Sequence, residues 1–98
     1  MSDATGVFRA LADPTRREIL RILRGGETSA GEIVAKFSLS APSISRHLGV
    51  LESAGLVAER RAGVRIYYRL EPKKIALALE AFLSAVCPTQ RRMRKEKP

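Results

Sequence analysis

The chain of 98 residues holds a single cysteine, Cys87. One thiol excludes an intrachain disulfide and fits a reducing compartment. No apolar run approaches the roughly 18 residues that span a bilayer, and the N-terminal stretch lacks the apolar core of a signal peptide. A soluble cytoplasmic protein without a membrane partner is expected. There is also only one histidine, His47, and it lies far along the chain from Cys87. Zinc and its neighbours in the periodic table need several converging His, Cys or carboxylate ligands, so no metal is expected. The sets that carry catalysis are missing as well. No second carboxylate is placed with Glu32, no Ser-His-Asp set is present, and the short stretches AGV and GVR are not phosphate-cradling loops. The chain is not expected to be an enzyme or to hold a cofactor.

Hydrophobic residues make up 45% of the chain, which argues for a folded protein rather than a disordered one. A domain of this size buries only part of its surface and is marginal alone, so an oligomer interface is attractive. The net charge of +8 calls for an anionic partner, either nucleic acid or a membrane surface. Half of that charge is local: residues 91–98 carry five cations (Arg91, Arg92, Arg94, Lys95, Lys97) against Glu96. Residues 89–98 read as a basic, disordered tail with no apolar face for a membrane. Residues 1–88 read as one domain.

Along that domain, residues 5–12 form a short helix with Val7, Phe8 and Leu11 on one side. Asp13-Pro14 restarts the chain, Asp13 as cap and Pro14 in the first helical position. The second helix places Ile19, Leu20 and Leu23 inward with Ile22 beside them, and Gly25-Gly26 ends it. Ser29 and Glu32 then match a capping box, opening a third helix with Ile33, Val34 and Phe37 on its core face. A tight connection leads to Leu39–Val57. There Ser40 is a good N-cap, Pro42 lies in the first turn, and Gly55 supplies a left-handed stop. Between them Ile44, Leu48 and Leu51 recur at spacings of four and three. The opposite face opens with Pro42, Ser43, Ser45 and Arg46, small or cationic groups clustered at the helix tip. Two helices joined by a short connection, the second with an exposed polar tip, make a helix-turn-helix. Such a helix fits the major groove, which is about 12 Å wide.

After Gly55 the period changes to about two. Leu56, Val57, Ile66, Tyr67, Tyr68 and Leu70 alternate around a turn at Ala62-Gly63, which reads as a two-stranded hairpin. Arg60, Arg61 and Arg65 lie near its tip, and the side taken by Arg69 depends on register. The hairpin must pack on the helices to be stable. Pro72 opens a fifth helix striped by Ile75, Leu79, Phe82, Leu83 and Val86, and Pro88 stops it. The expected fold is mainly α with a small β-hairpin: a winged helix-turn-helix of five helices and a two-stranded wing.

Three runs, ALADPTRREIL (10–20), SISRHLGVLESAGLV (43–57) and GVRIYYRL (63–70), resemble in order the distinctive segments of the ArsR/SmtB group of bacterial repressors. The resemblance covers about residues 5–88. It implies a homodimeric DNA-binding repressor whose fourth helix enters the major groove of a palindromic operator. It also implies a dimer interface formed by the first and last helices, here Val7, Phe8, Leu11, Ile75, Leu79, Phe82, Leu83 and Val86. The group's arsenic and cadmium site needs Cys-x-Cys at the start of the third helix, where this chain has Ser29 and Gly31. Its zinc and nickel site needs Asp, His or Glu on the last helix, where this chain has Pro72, Lys74, Ala85 and Pro88. The chain therefore resembles most the metal-independent, autorepressor-like members. A metal- or thiol-responsive repressor on the same fold and a protein-interaction module are the alternatives; the exposed arginines speak against the second.

Within this frame Ser45 and Arg46 are the expected base-edge contacts, since Arg pairs bidentately with guanine and Ser is adaptable. Ser43 and Pro42 approach the groove beside them. Arg60, Arg61 and Arg65 reach flanking phosphates or the minor groove, or else remain solvated at the hairpin tip. Thr28 and Ser29 either donate to a phosphate at the start of the third helix or simply cap it. His47 reads as a structural histidine wedged against the wing. Gly49, costly in mid-helix, suggests close approach of another backbone. Cys87 reads as a buried thiol, with no second cysteine to complete a redox pair.

Overall fold

A computed structural model describes residues 3–87; the Pro88 stop and the tail at 89–98 lie outside them. Five helices occur in the order α1 (Asp3–Leu11), α2 (Pro14–Arg24), α3 (Ala30–Ala35), α4 (Ala41–Ser53) and α5 (Lys73–Val86). The strands are β1 (Thr28–Ser29), β2 (Val57–Ala62) and β3 (Arg65–Leu70). The wing is the expected hairpin, with Ala62 opposite Arg65 and Val57 opposite Leu70. Gly63 takes the first of its two turn positions at φ +63°, where a side chain is disfavoured. The sheet has one strand more than the sequence suggests. Thr28 pairs with Tyr68 and Ser29 with Tyr67, so the order is β1-β3-β2 and β3 is central. Two residues are too few to show a period, but they supply partners for the free edge of β3.

Local chemistry sets the helix boundaries. The Asp13 carboxylate accepts from the Arg16 N–H at 3.1 Å, and Pro14 follows in the first turn. The capping box at α3 is complete: Ser29 Oγ accepts from the Glu32 N–H at 3.1 Å, and Glu32 Oε1 accepts from the Ser29 N–H at 3.0 Å. Ser40 Oγ accepts from the Ser43 N–H at 3.2 Å. Gly55 ends α4 at φ +81°, and a Cβ there would also lie 2.8 Å from the Lys74 side chain. The left-handed turn favours glycine; the Lys74 side chain, flexible at its end, can move aside from a Cβ.

The core draws on every helix. Ile19 and Leu23 of α2, Ile33 of α3, Ile44, Leu48 and Leu51 of α4, and Leu56, Val57 and Tyr68 from the wing are all buried. Each such aliphatic contributes on the order of 1.5–3 kcal/mol through removal from water. Val7 is 1% exposed and belongs to this core, so it is not available to a second copy as expected. With Val7, Phe8 and Leu11 spaced one and three apart, α1 is apolar around a wide arc, and the sequence does not say which edge faces inward. Val7 and Ala10 do; Phe8 and Leu11 are half-buried beside them.

Asp13 provides a direct test of the capping argument. Burial pushes its carboxyl up, but the Arg16 N–H and the positive side chains nearby outweigh this and hold it below the ordinary 3.8. The folded state therefore favours the ionised form, and that stabilisation is complete above the ordinary value and lost as pH falls through the depressed one. Asp13→Ala is expected to cost ~1 kcal/mol at neutral pH, in urea melts at fixed protomer concentration. The gap to wild type should narrow below about pH 4, whereas Asp13→Asn should keep the cap at every pH.

Candidate nucleic-acid interface

Burial of Ile44, Leu48 and Leu51 fixes the roll of α4. At 3.6 residues per turn, Pro42, Arg46, Gly49 and Ser53 then lie on the opposite side, with Ser45 beside them. All five are exposed, and Ser43 is half-buried on the flank. The Arg46 guanidinium has no hydrogen bond or ion pair among the described residues. The tip is therefore a cation and small hydroxyls held outward on a rigid helix.

Strand alternation divides the wing arginines. Arg60, Arg65 and Arg69 share one face with Tyr67, and Arg61 lies on the other with Glu59. Arg60 is already engaged: its Nε and Nη2 donate to the two Glu27 oxygens at 3.0 and 2.8 Å, and its guanidinium stands 4.7 Å over the Tyr67 ring. The same fork holds the Glu27 carboxyl below its ordinary value. Arg69 Nε donates to Glu71 at 3.1 Å. Arg61 is 3.9 Å from Glu59 with its side chain 69% exposed, and Arg65 is exposed. Arg61 and Arg65 are thus the wing cations most available to an anion; the expectation for Arg60 must include breaking a bidentate pair.

Two other expectations change. Ser29 is 5% exposed, inside the capping box and the β1–β3 pairing, so it does not present its hydroxyl to a phosphate. Thr28 is half-buried and its hydroxyl donates to the Gly26 carbonyl at 2.9 Å. Cys87 is exposed rather than buried.

The polar neighbours of His47 lie at the start of α2. The Arg16 guanidinium lies 3.2 Å from His47 Nδ1, and an Asp13 carboxylate oxygen lies 3.9 Å from the same nitrogen. The same guanidinium donates to the carbonyls of Ala10 at 2.8 Å and Arg9 at 3.0 Å. Arg16 therefore joins the end of α1 to the back of α4. Nothing in the sequence points to it; its partners are carbonyls and a histidine 31 positions away.

On α5, Ala78 is buried and Ile75 packs against the core, while Leu79, Phe82, Leu83 and Val86 are 38–55% exposed. Phe82 meets Phe8 edge-to-face at 5.5 Å. This leaves an apolar strip running from α1 onto α5 with nothing over it among the described residues. Among the described residues no three His, Cys, Asp or Glu side chains come together as a metal site, and no helix is long and apolar enough to cross a membrane.

Comparison with known proteins places these features in a family context. Residues 11–60 match the model of a helix-turn-helix domain. The chain is 50% identical over 64 residues to the transcriptional repressor SdpR of Bacillus subtilis, covering 65% of this chain and 71% of SdpR. It is 48% identical over 68 residues to the arsenic resistance transcriptional regulator ArsR1 of Pseudomonas putida, covering 68% of this chain but 53% of that protein. Among solved structures, an ArsR-like transcriptional regulator from Rhodococcus sp. RHA1 superposes with a TM-score of 0.81 at 29% identity, over 95% of this chain and 85% of that one.

Proposed function

The chain belongs to the ArsR family of winged helix-turn-helix DNA-binding regulators, and from that premise we propose that it acts as a homodimeric repressor of a palindromic operator without sensing metal. The observation that carries this reading is the outward tip of α4, where Ser45 and Arg46, the latter without a partner among the described residues, stand on a helix fixed by three buried aliphatics. In a two-fold pair, two such tips enter successive major grooves about 34–36 Å apart. Pro42 and Ser43 approach the bases beside Arg46. Arg61 and Arg65, with Arg60 once released from Glu27, neutralise flanking phosphates. Thr28 contributes only if its bond to Gly26 opens. The bound dimer excludes polymerase from the site, and control of its own promoter is the simplest circuit.

The apolar strip of Phe8, Leu79, Phe82, Leu83 and Val86, continued by the partly buried Leu11 and Ile75, supports the dimer. Support for metal independence comes from side-chain chemistry. Ser29 and Gly31 stand where the third-helix thiolates would be, and Pro72, Lys74 and Ala85 stand on or beside α5 where imidazole or carboxylate would be. ArsR1 is named for arsenic resistance; that name belongs to the relative, and no observation on this chain favours the same response.

The test is a fluorescence titration of the purified protein with a duplex selected from a random library and with a scrambled duplex, at two salt concentrations. The selected duplex should bind at least about 10³-fold more tightly at physiological salt, and zinc, cadmium or arsenite should release none of it. Equal affinity for both duplexes would overturn the repressor reading. Release by any of the metals would overturn its metal independence.

A further inference from the structure

α1 and α4 leave a groove of about 540 Å³ between them. Gly6 and Arg9 line it from α1, and Arg46, Gly49, Val50 and Ser53 line it from α4. We infer that this groove seats a stretch of the DNA sugar–phosphate backbone, and that Arg9 is a phosphate contact on the same strand whose base Arg46 reads. The inference rests on the DNA-binding reading above and adds α1 to the surface.

Four observations carry it. First, the groove opens on the face of α4 that holds the helix tip, since Arg46, Gly49 and Ser53 belong to both. Second, its charge is of one sign: Arg9 and Arg46 border it, no carboxylate lines it, and neither guanidinium has a partner among the described residues. The chain's own basic 91–98 segment, five cations against one anion, would be repelled from it. Third, the glycines of α1 and α4 both face it. Glycine costs about 1 kcal/mol against alanine inside a helix, yet a Cβ at Gly6 or Gly49 would meet nothing within 4 Å. Packing among the described residues does not account for them; an approaching deoxyribose edge, apolar and bulky, would fill that space. Fourth, Arg9 is held in register with α4. The Arg16 guanidinium binds the Arg9 and Ala10 carbonyls and His47, the neighbour of Arg46. Arg17 donates to the Leu11 carbonyl at 2.7 Å. These two cations also offset the negative end of the α1 dipole, which would otherwise repel a phosphate.

The experiment compares wild type with Arg9→Ala, Arg46→Ala and Arg21→Ala across 50–200 mM salt, on the selected and scrambled duplexes. Arg21 is the control: it removes the same charge from an exposed site paired with Glu18, away from the groove. Arg9→Ala should flatten the slope of log K against log salt by about 0.9 for each phosphate no longer neutralised, roughly 1.8 for a dimer. Affinity should fall by a similar factor on both duplexes, and Arg21→Ala should leave the slope in place. A slope for Arg9→Ala that matches Arg21→Ala, while Arg46→Ala loses discrimination, overturns the inference and leaves the DNA-binding reading standing. If wild type fails to discriminate between the duplexes, the reading itself fails and the role of Arg9 falls with it.

Discussion

Phe82→Glu is expected to yield a folded monomer and to lower operator affinity to the level of random DNA, a loss of about 10³-fold or more. Phe82 is 51% exposed although it touches Phe8, and it sits within a strip completed by Leu79, Leu83 and Val86. Covering such side chains is favourable by roughly 25 cal/mol per Å², and a two-fold pair covers each of them twice. A glutamate at the centre would bring two unpaired carboxylates into a dry interface, which costs far more than the absent ring. The edge-to-face pair with Phe8 is itself worth ~0.5–1.5 kcal/mol, so the variant should melt somewhat earlier. Leu77 separates assembly from folding. It is 57% exposed but lies on the opposite side of α5 from the strip. Leu77→Glu should therefore stay dimeric and bind the operator as wild type does. Sedimentation equilibrium and the duplex titration report both outcomes. A Phe82→Glu protein that remains dimeric would remove the α1–α5 strip as the interface.

What can be foreseen from the sequence, and what cannot, divides along contact range. α4 is legible almost residue by residue because Ser40, Pro42, Ile44, Leu48, Leu51 and Gly55 act within one or two turns of each other. The same holds for the Ser29–Glu32 box and the Gly63 turn. The pairing of Arg60 with Glu27 spans 33 positions, and that of Arg16 with His47 spans 31, and neither follows any local period. Hence the sequence does not show that Arg16 meets His47, and it leaves Arg60 looking free when a carboxylate and a ring hold it. The third strand is hidden because Thr28–Ser29 is short and its partner lies forty positions on. Val7 turns inward for a different reason. In a short helix with apolar residues around a wide arc, composition marks burial but not which body does the burying. The exposed tip of α4 is legible as a face, because three buried positions at helical spacing determine where the remaining ones point.

Arg46→Ala is expected to relax discrimination at one or two base pairs in each half-site by ~1–3 kcal/mol, with binding to random duplex reduced far less. The expectation comes from the state of the side chain before DNA arrives. Arg46 is exposed and has no partner among the described residues, so its guanidinium enters the groove without first breaking a bond to any of them. A planar fork matches the two acceptors on the guanine edge, and a lysine does not, so Arg46→Lys should restore affinity for random duplex but not the base preference. The wing arginines give the contrast. Arg61, loosely placed 3.9 Å from Glu59, should act on phosphate alone: Arg61→Ala weakens every sequence alike and flattens the salt slope. Arg60→Ala should do less than Arg61→Ala, because contact by Arg60 requires it to leave the Glu27 fork and the Tyr67 ring. A panel of single-base operator variants titrated at two salt concentrations measures all four substitutions. Equal losses for Arg46→Ala and Arg61→Ala on every duplex would mean that α4 rests on the backbone and that the bases are read elsewhere.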